Sequence, residues 1–338
     1  MANKRLLLIG IETSCDETAA AVVRDGREVR SNVVASQMGL HAIFGGVVPE
    51  IASRKHVELL GAVVDEAVKH AGIRFTDLDA IAVTQGPGLI GSLLVGVSAA
   101  KAYAYALRIP LVAVNHIEGH VYANELDGAP LRPSAICLVA SGGHTDIVHI
   151  EAPGVYEIMG WTRDDAAGEA FDKIGRLLGL PHPGGPAIDA CARDGHPSAI
   201  DFPRVHFPDS LDFSFSGLKT AAARLWEREG DRHRLADFAA SFQQAIVEVL
   251  VQHTFAAARQ VRAAEVLLAG GVAANSALRR AATAAAATAG VPLRYPHPAL
   301  CTDNAAMIAC AGHHVLSRSG PSGLAFDVFS ALPLAAHV

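Results

Sequence analysis

Apolar residues along the chain follow two different spacings, and the change from one to the other marks out the elements. Leu6–Ile11 is a continuous apolar run of strand length. Thr18–Arg24 and Val29–Ala35 are two more, with Arg24-Asp25-Gly26-Arg27 as the turn that joins them. Over Glu50–Ala71 the period lengthens: Ile51, Val57, Leu60, Val63, Val64 and Ala67 recur at helical spacing. Ala80–Thr84 returns to strand. Gly86-Pro87-Gly88 opens a helix that runs to about Leu107, and Leu111–Val114 is a final strand. The order is β-β-β-α-β-α-β.

The order then repeats. Ala135–Ala140, Thr145–Ile150 and Tyr156–Trp161 read as strands, and Asp165–Leu178 as a helix. Residues 180–235, rich in Pro, Gly and charge, read as an insertion. A long helix over Leu235–Arg259 follows, then strand Glu265–Ala269, helix Asn275–Ala289, strand Leu293–Tyr295 and a closing helix over Thr302–Ser317. The duplication lies in topology and hardly at all in residue identity. Each repeat opens with a strand, a polar turn and a strand: residues 12–18 in the first, Ser141 to Thr145 in the second. This is similar to the actin-like ATPase (ASKHA) architecture, an α/β fold of two duplicated ribonuclease H-like lobes whose mixed sheets are flanked by helices. The expected boundaries are 1–133 for the N-terminal lobe and 134–300 for the C-terminal lobe. Residues 301–338 would form a closing helix returning to the interlobe cleft, plus a tail. In such a fold the two polar hairpins face each other and cradle phosphates.

Bulk properties narrow the class. A length of 338 residues suits two domains. No secretory pattern or apolar run of membrane-spanning length stands out, which places the protein in the cytoplasm. Five cysteines, at 15, 137, 191, 301 and 310, form no C-x-x-C pair. That disfavours a disulfide scaffold or zinc ribbon. Cys15 alone lies in a polar loop. A net charge of −6 is unhelpful for holding nucleic acid without partners, because phosphate contacts dominate such affinity.

The sharpest chemical signal is His116-Ile117-Glu118-Gly119-His120. Residues four apart on a helix project about 40° from each other, so both imidazoles can reach one cation. Asn115 and the strand end at Val114 put the pair at the carboxyl end of a strand, where α/β proteins place ligands. A zinc protease would need Glu directly after the first His. Glu118 is two residues on, about 200° round the helix, and points away from the histidine face. The turn Ser141-Gly142-Gly143 lets backbone amides converge on an anion. Gly270 to Asn275 leads from a strand into a helix, a setting for backbone contact with a nucleotide or for a plain Asn cap. Several carboxylates are placed where chemistry could use them. Asp164, Asp165, Glu169 and Asp172 read as the first helix of the second lobe. Asp189 follows the turn 183–186, and Asp303 starts the last helix. If that helix returns to the cleft, Asp303 would complete a triad of two His and one carboxylate.

Ten segments together carry a resemblance: GIETSCDET (10–18), GGVVPEIASRKH (45–56), GPGL (86–89), NHIEGH (115–120), SGGHT (141–145), DDAAGEAFDK (164–173), LLGLPHPGGP (177–186), LDFSFSGLKTA (211–221), AGGVAAN (269–275) and CTDNAAM (301–307). The chain resembles the TsaD/YgjD/Gcp family, the tRNA N6-adenosine threonylcarbamoyltransferases. The resemblance implies transfer of a threonylcarbamoyl group from threonylcarbamoyl-AMP to N6 of adenosine 37 in tRNAs reading ANN codons, with AMP released. It implies His116, His120 and Asp303 as metal ligands, with Fe2+ expected and Zn2+ as the alternative. It implies Val139, Ala140, Ser141, Gly142, Gly143, Asp172, Gly185, Asp189 and Asn275 as substrate-binding residues. No covalent nucleophile is implied, because the substrate amine attacks directly. The partners implied are tRNA, a TsaB-like paralogous subunit and a TsaE-like ATPase subunit.

Overall fold

The computed structural model describes residues 5–126 and 128–334. In chain order the elements are β1 (Leu7–Glu12), β2 (Glu17–Arg24), β3 (Glu28–Ser36), α1 (Met38–Ala42), α2 (Pro49–His70), β4 (Ala80–Gly86), α3 (Ile90–Leu107), β5 (Leu111–Asn115) and α4 (His116–Tyr122). They continue as β6 (Ala135–Ala140), β7 (Thr145–Ala152), β8 (Val155–Trp161), α5 (Ala167–Leu177), α6 (Gly184–Cys191), α7 (Ser216–Glu229), α8 (Leu235–Val261), β9 (Glu265–Ala269), α9 (Ser276–Ala289), β10 (Leu293–Arg294) and α10 (Ala305–Ser319). The chain divides into two compact units, one holding residues up to Leu131 and those from Asp303 onward, the other Arg132–Thr302.

The first unit is built on a sheet of order β3-β2-β1-β4-β5. The β1–β2 and β2–β3 pairs are antiparallel, and β1–β4 and β4–β5 are parallel. Side chains of a strand alternate between faces, which sorts β1 cleanly. Ile9 and Ile11 join Leu60, Val64, Leu93 and Val97 in a core under α2 and α3. Gly10 faces the other way, toward α10. A Cβ there would run into the carbonyl oxygen of Ala305, so glycine lets the start of α10 lie directly on the strand. Gly119 does the same between α4 and α10, where a Cβ would sit 2.8 Å from Ile308 Cδ1. These two close approaches set where Asp303 falls relative to α4.

Two expectations about this unit need correcting. The buried stripe of α2 is Ala52, His56, Leu60, Val63, Val64, Ala67 and Val68. Val57 lies outside it, 68% exposed, because the stripe follows the histidine that reaches back to β2: His56 Nδ1 meets Thr18 Oγ1 at 2.8 Å. Also, one helix among the described residues, α3, is long and apolar enough to cross a membrane by length and composition. Its inner stripe, Ser92, Leu93, Gly96, Val97, Ala100 and Ala104, is buried in this unit.

The second unit repeats the plan with a sheet of order β10-β9-β6-β7-β8. Again the first three strands are antiparallel and the last two parallel to the central one. The insertion at 180–235 contains α6 and α7. It adds Phe202, Phe213 and Phe215 to a core shared with Phe171, Phe238 and Phe242. Each fully buried aromatic of this kind contributes roughly 2–3 kcal/mol.

Candidate metal centre and nucleotide-binding loops

The histidine pair is positioned by a cap. The chain leaves β5 at Asn115, whose Oδ1 accepts from the amides of Ile117 (2.8 Å) and Glu118 (3.3 Å) and so starts α4 at His116. The four-residue spacing puts the two imidazoles edge to face, with centroids 4.7 Å apart. Asp303 lies just before α10, whose cap is Asn304, rather than on the helix as the sequence suggests. Its Oδ1 is 3.5 Å from His116 Nε2 and 3.2 Å from His120 Nε2. Glu118 is buried on another face and approaches Arg318 at 3.5 Å.

Behind the histidines stands a residue to which sequence reasoning gave no role. Glu12, at the end of β1, is fully buried. Its Oε2 is 3.0 Å from His116 Nδ1 and accepts from Thr84 Oγ1 at 2.6 Å, while Oε1 accepts from the Ser14 amide. A carboxylate on Nδ1 leaves Nε2 as the free lone pair, the arrangement found behind metal-bound histidine. The signal was available, because a Glu closing an otherwise apolar buried strand needs a partner.

The electrostatics call for positive charge. Burial would strip the proton from His116, but the carboxylates of Asp303 and Glu12 outweigh it and hold the imidazole well above its usual range. Burial would likewise raise Asp303, yet His116 and His120 hold it far below the carboxylate range. Nearby Glu17 is pushed up to about 9, first by burial and then by the charges of Asp303 and Asp16. A pocket that raises one carboxyl group and favours positive charge on a buried imidazole is short of a cation. His120 Nδ1 is buried without a hydrogen-bond partner among the described residues. Two imidazole nitrogens and one carboxylate oxygen, all within 4.8 Å of one another, fit a divalent transition metal.

Two other groups have metal-ligand chemistry, Glu125 with Cys310 and His314, and His149 with Glu151 and Glu157. In the first, His314 Nε2 already pairs with Glu125 at 2.8 Å and the Cys310 thiol, pushed up by burial, donates to the Tyr122 carbonyl. In the second, both glutamates are exposed.

The second unit gathers its candidates at the carboxyl ends of β6 and β9. Val139 and Ala140 end β6 and are buried. Ser141 to His144 form the hairpin to β7, closed by Ser141 N donating to His144 O at 2.8 Å. Gly142 and Gly143 are exposed, and a Cβ on either would meet nothing within 4 Å. Gly270, with φ +83, turns the chain after β9 so closely over Ala140 that any side chain would strike the Ala140 backbone. Asp172 on α5 accepts from the amide of Gly184 at 2.7 Å, which fixes the start of α6, where Gly185 is its second residue. Asp189 lies on α6, not after a turn. It takes Ser276 Oγ at 2.7 Å and the Ser276 amide at 3.3 Å, tying α6 to α9. Asn275 caps α9 through Oδ1 (Leu278 N, 2.9 Å) and donates Nδ2 to Gln243 Oε1 at 2.7 Å. Gln243 and Ser276 thus complete this set without having been singled out by sequence. Asp164 and Asp165 precede α5 instead of lying on it. Asp164 accepts from the amides of Phe215 and Ser216 at the start of α7, and Asp165 pairs with Lys173 and Lys219.

Two units of this topology, the first with an imidazole–carboxylate cluster and the second with a glycine hairpin, make the chain an α/β protein of the actin-like ATPase fold. Solved structures agree on the fold. Full-length HypF in its phosphate- and nucleotide-bound form aligns with a TM-score of 0.60 at 12% identity, over 94% of this chain and 47% of that one. The chain therefore spans about half of HypF. The Acidaminococcus fermentans (R)-2-hydroxyglutaryl-CoA dehydratase component A aligns with a TM-score of 0.55 at 14% identity, over 92% and 99%. At the level of sequence the match is narrower. A family model described as tRNA N6-adenosine threonylcarbamoyltransferase, TsaD, covers residues 28–310. Proteins named tRNA N6-adenosine threonylcarbamoyltransferase from Clostridium perfringens (strain SM101), Symbiobacterium thermophilum and Moorella thermoacetica are similar to it. The Clostridium protein is 52% identical over 96% of this chain and 97% of its own. The Symbiobacterium and Moorella proteins are 55% and 54% identical, over 93% and 97% of this chain and 92% and 97% of their own. The chain belongs to this family of transferases.

Proposed function

We propose that this chain transfers the threonylcarbamoyl group of threonylcarbamoyl-AMP to N6 of adenosine 37 in tRNAs that read ANN codons. The observation that carries the reading is the convergence of His116, His120 and Asp303, with Glu12 behind His116, in a chain that matches the transferase family along most of its length. His116 Nε2, His120 Nε2 and an Asp303 oxygen would hold a divalent ion, with iron the expected occupant and zinc the alternative. When bound, such an ion supplies Lewis acidity toward phosphate and carbonyl oxygens.

The chain's own residues have defined tasks. Glu12 accepts from His116 Nδ1 and keeps that ring in the tautomer that presents Nε2. The amides of Gly142 and Gly143, which bond to no group among the described residues, are donors for an anionic oxygen. Asp172 and Asp189 fix α6, and Asn275 with Gln243 fixes the start of α9, so the loops Val139 to Gly143 and Gly184-Gly185 have set positions for an adenylate. The N6 amine attacks the carbamoyl carbon directly. A C–N bond forms, the C–O bond to AMP breaks, and the amine's extra proton leaves to AMP or solvent. No serine or cysteine nucleophile takes part.

The net charge of −6 supports a reading in which partner subunits, one TsaB-like and one a TsaE-like ATPase, help to hold the tRNA. The test is reconstitution: protein and partners with tRNA, threonine, bicarbonate, ATP and the enzyme that makes the adenylate, followed by mass spectrometry of digested nucleosides. Threonylcarbamoyladenosine should form. It should be lost, together with bound metal, in folded His116→Ala/His120→Ala protein. Turnover by that metal-free variant would refute the role given to the pair.

A further inference from the structure

The segment that follows α10 is tied at several points to the elements around the helix that carries His116 and His120. Ser322 pairs with the outer edge of β5: its amide donates to Leu111 O at 2.9 Å, and its Oγ accepts from Ala113 N at 2.9 Å. Lys101, on α3, then grips the segment by donating Nζ to Phe326 O at 2.6 Å and lying 4.6 Å over the Phe326 ring. Further on the chain reaches the end of β4 and the loop after it. Gln85 Nε2 donates to Asp327 O (2.8 Å), Phe329 N donates to Gln85 O (3.0 Å), and Gly88 N donates to Ser330 O (3.2 Å). Val328 and Leu334 are buried, at 8% and 3% exposure, so the segment is packed as well as bonded.

Its last polar contact among the described residues is with the cap of the histidine helix. Asn115 Nδ2 donates to Leu332 O at 3.0 Å while Oδ1 of the same side chain holds the Ile117 and Glu118 amides. The loop after β4 passes the constraint to the other side of the centre, because Leu89 N donates to Ser14 O at 2.8 Å and the Ser14 amide in turn bonds Glu12. One segment thus braces both the helix that presents His116 and His120 and the turn that aims Glu12. An Asn cap needs only its carbonyl. The amide half of Asn115 is free to serve a second purpose, and here it is spent on the strap.

We propose that residues 321–332 form a strap that positions the metal-ligating helix, with Asn115 as the positioning residue that joins strap to helix and Lys101 as its distant anchor. The inference rests on the reading of His116, His120 and Asp303 as metal ligands. A helix of seven residues has little stability of its own, so its register is set by what holds its ends. Loosening the strap lets α4 fray at the cap, and the two imidazoles then spend less time in the geometry a cation needs.

The test uses the full chain, stripped of metal and titrated with Co2+, with the site-specific signal taken as the part that His116→Ala/His120→Ala removes. Asn115→Asp keeps the capping oxygen and loses the donor to Leu332. It should weaken Co2+ binding about 10-fold, the range seen when a ligand's supporting partner is removed. Lys101→Met should act in the same direction from the far side of the strap, and Lys101→Arg should restore binding. The double variant Asn115→Asp/Lys101→Met should lose no more than Asn115→Asp alone, since both break one linkage. Amide exchange over His116–Tyr122 in the metal-free protein should quicken in Asn115→Asp and Lys101→Met. If folded Asn115→Asp and Lys101→Met bind Co2+ as the unaltered chain does, the strap has no positioning role, whatever happens to thermal stability. If the unaltered chain shows no Co2+ signal that the double-His variant removes, the metal reading itself falls and the inference with it.

Discussion

Replacing Glu12 with Gln changes one atom and tests the logic of the metal centre. Both carboxylate oxygens of Glu12 act as acceptors: Oε2 faces His116 Nδ1 and Thr84 Oγ1, and Oε1 faces the Ser14 amide. A glutamine must put its NH2 on one side or the other. On the first it meets the proton of His116 Nδ1 and the Thr84 hydroxyl, and on the second the Ser14 N–H. Either way a buried donor is set against a donor, which costs about 1–3 kcal/mol. With the NH2 on the first side, the escape is for His116 to move its proton to Nε2, the nitrogen the cation needs. The penalty then falls on metal binding. It should appear as a loss of affinity of about 10- to 100-fold, or about 1.4–2.7 kcal/mol. The assay is Zn2+ titration of metal-stripped protein against a chromogenic chelator, with circular dichroism to verify the fold. A Glu12→Gln protein that is folded and binds Zn2+ within about twofold of the unaltered chain would show that Glu12 does not set the His116 tautomer.

Two further outcomes follow from the second unit. Gly270→Ala puts a side chain where φ is +83 and ψ 166, a region open in practice to glycine alone, and drives it into the Ala140 backbone. It should destabilise by about 3 kcal/mol or more, lowering the melting temperature by about 6–12 °C, and should abolish adenylate binding. A shift under about 2 °C in a scanning calorimeter would mean the two loops are not in contact. Asp146, on β7 between Val139 and Trp161, is raised to about 6 by burial. The folded state holds its proton more tightly than the unfolded chain, so this group's contribution to stability is fullest below about pH 4 and is lost as pH rises through about 4 to 6. Asp146→Asn should therefore match the unaltered chain near pH 4 and exceed it above pH 6, by at most about 3 kcal/mol. Denaturant unfolding at several pH values checks this, and a difference that does not change with pH would sink it.

Much of the fold was legible in the sequence because strands and helices in this chain differ in period. The runs at Ala135–Ala140 and Glu265–Ala269 are strands with those limits, being fully buried and flanked by turn residues. Reading failed where a polar residue had a tertiary reason to be inside. His56 moved the buried stripe of α2 off Val57, since its ring serves Thr18 on β2 and the Cys15 carbonyl. It failed again at helix starts decided by a cap. Asn304 rather than Thr302 sets the beginning of α10, and Asp164 turns from a helical residue into a cap for the distant α7.

The sequence by itself determined what is local: the alternation of strand and helix, its repetition, and the four-residue spacing that puts His116 and His120 on one face. Such features depend on neighbours a turn or less away, so a single segment contains the whole cause. Only the tertiary structure decided which residues from distant segments come within bonding reach. Asp303 meets a pair almost two hundred positions earlier because glycine at 10 and 119 lets α10 lie against β1 and α4. Glu12 acquires its meaning from the ring of His116, and Asn115 from a carbonyl at Leu332. Burial gives these meetings their force. Removed from water, a carboxylate or an imidazole must find its partner within the protein, and which partner that is depends on the packing of the whole unit.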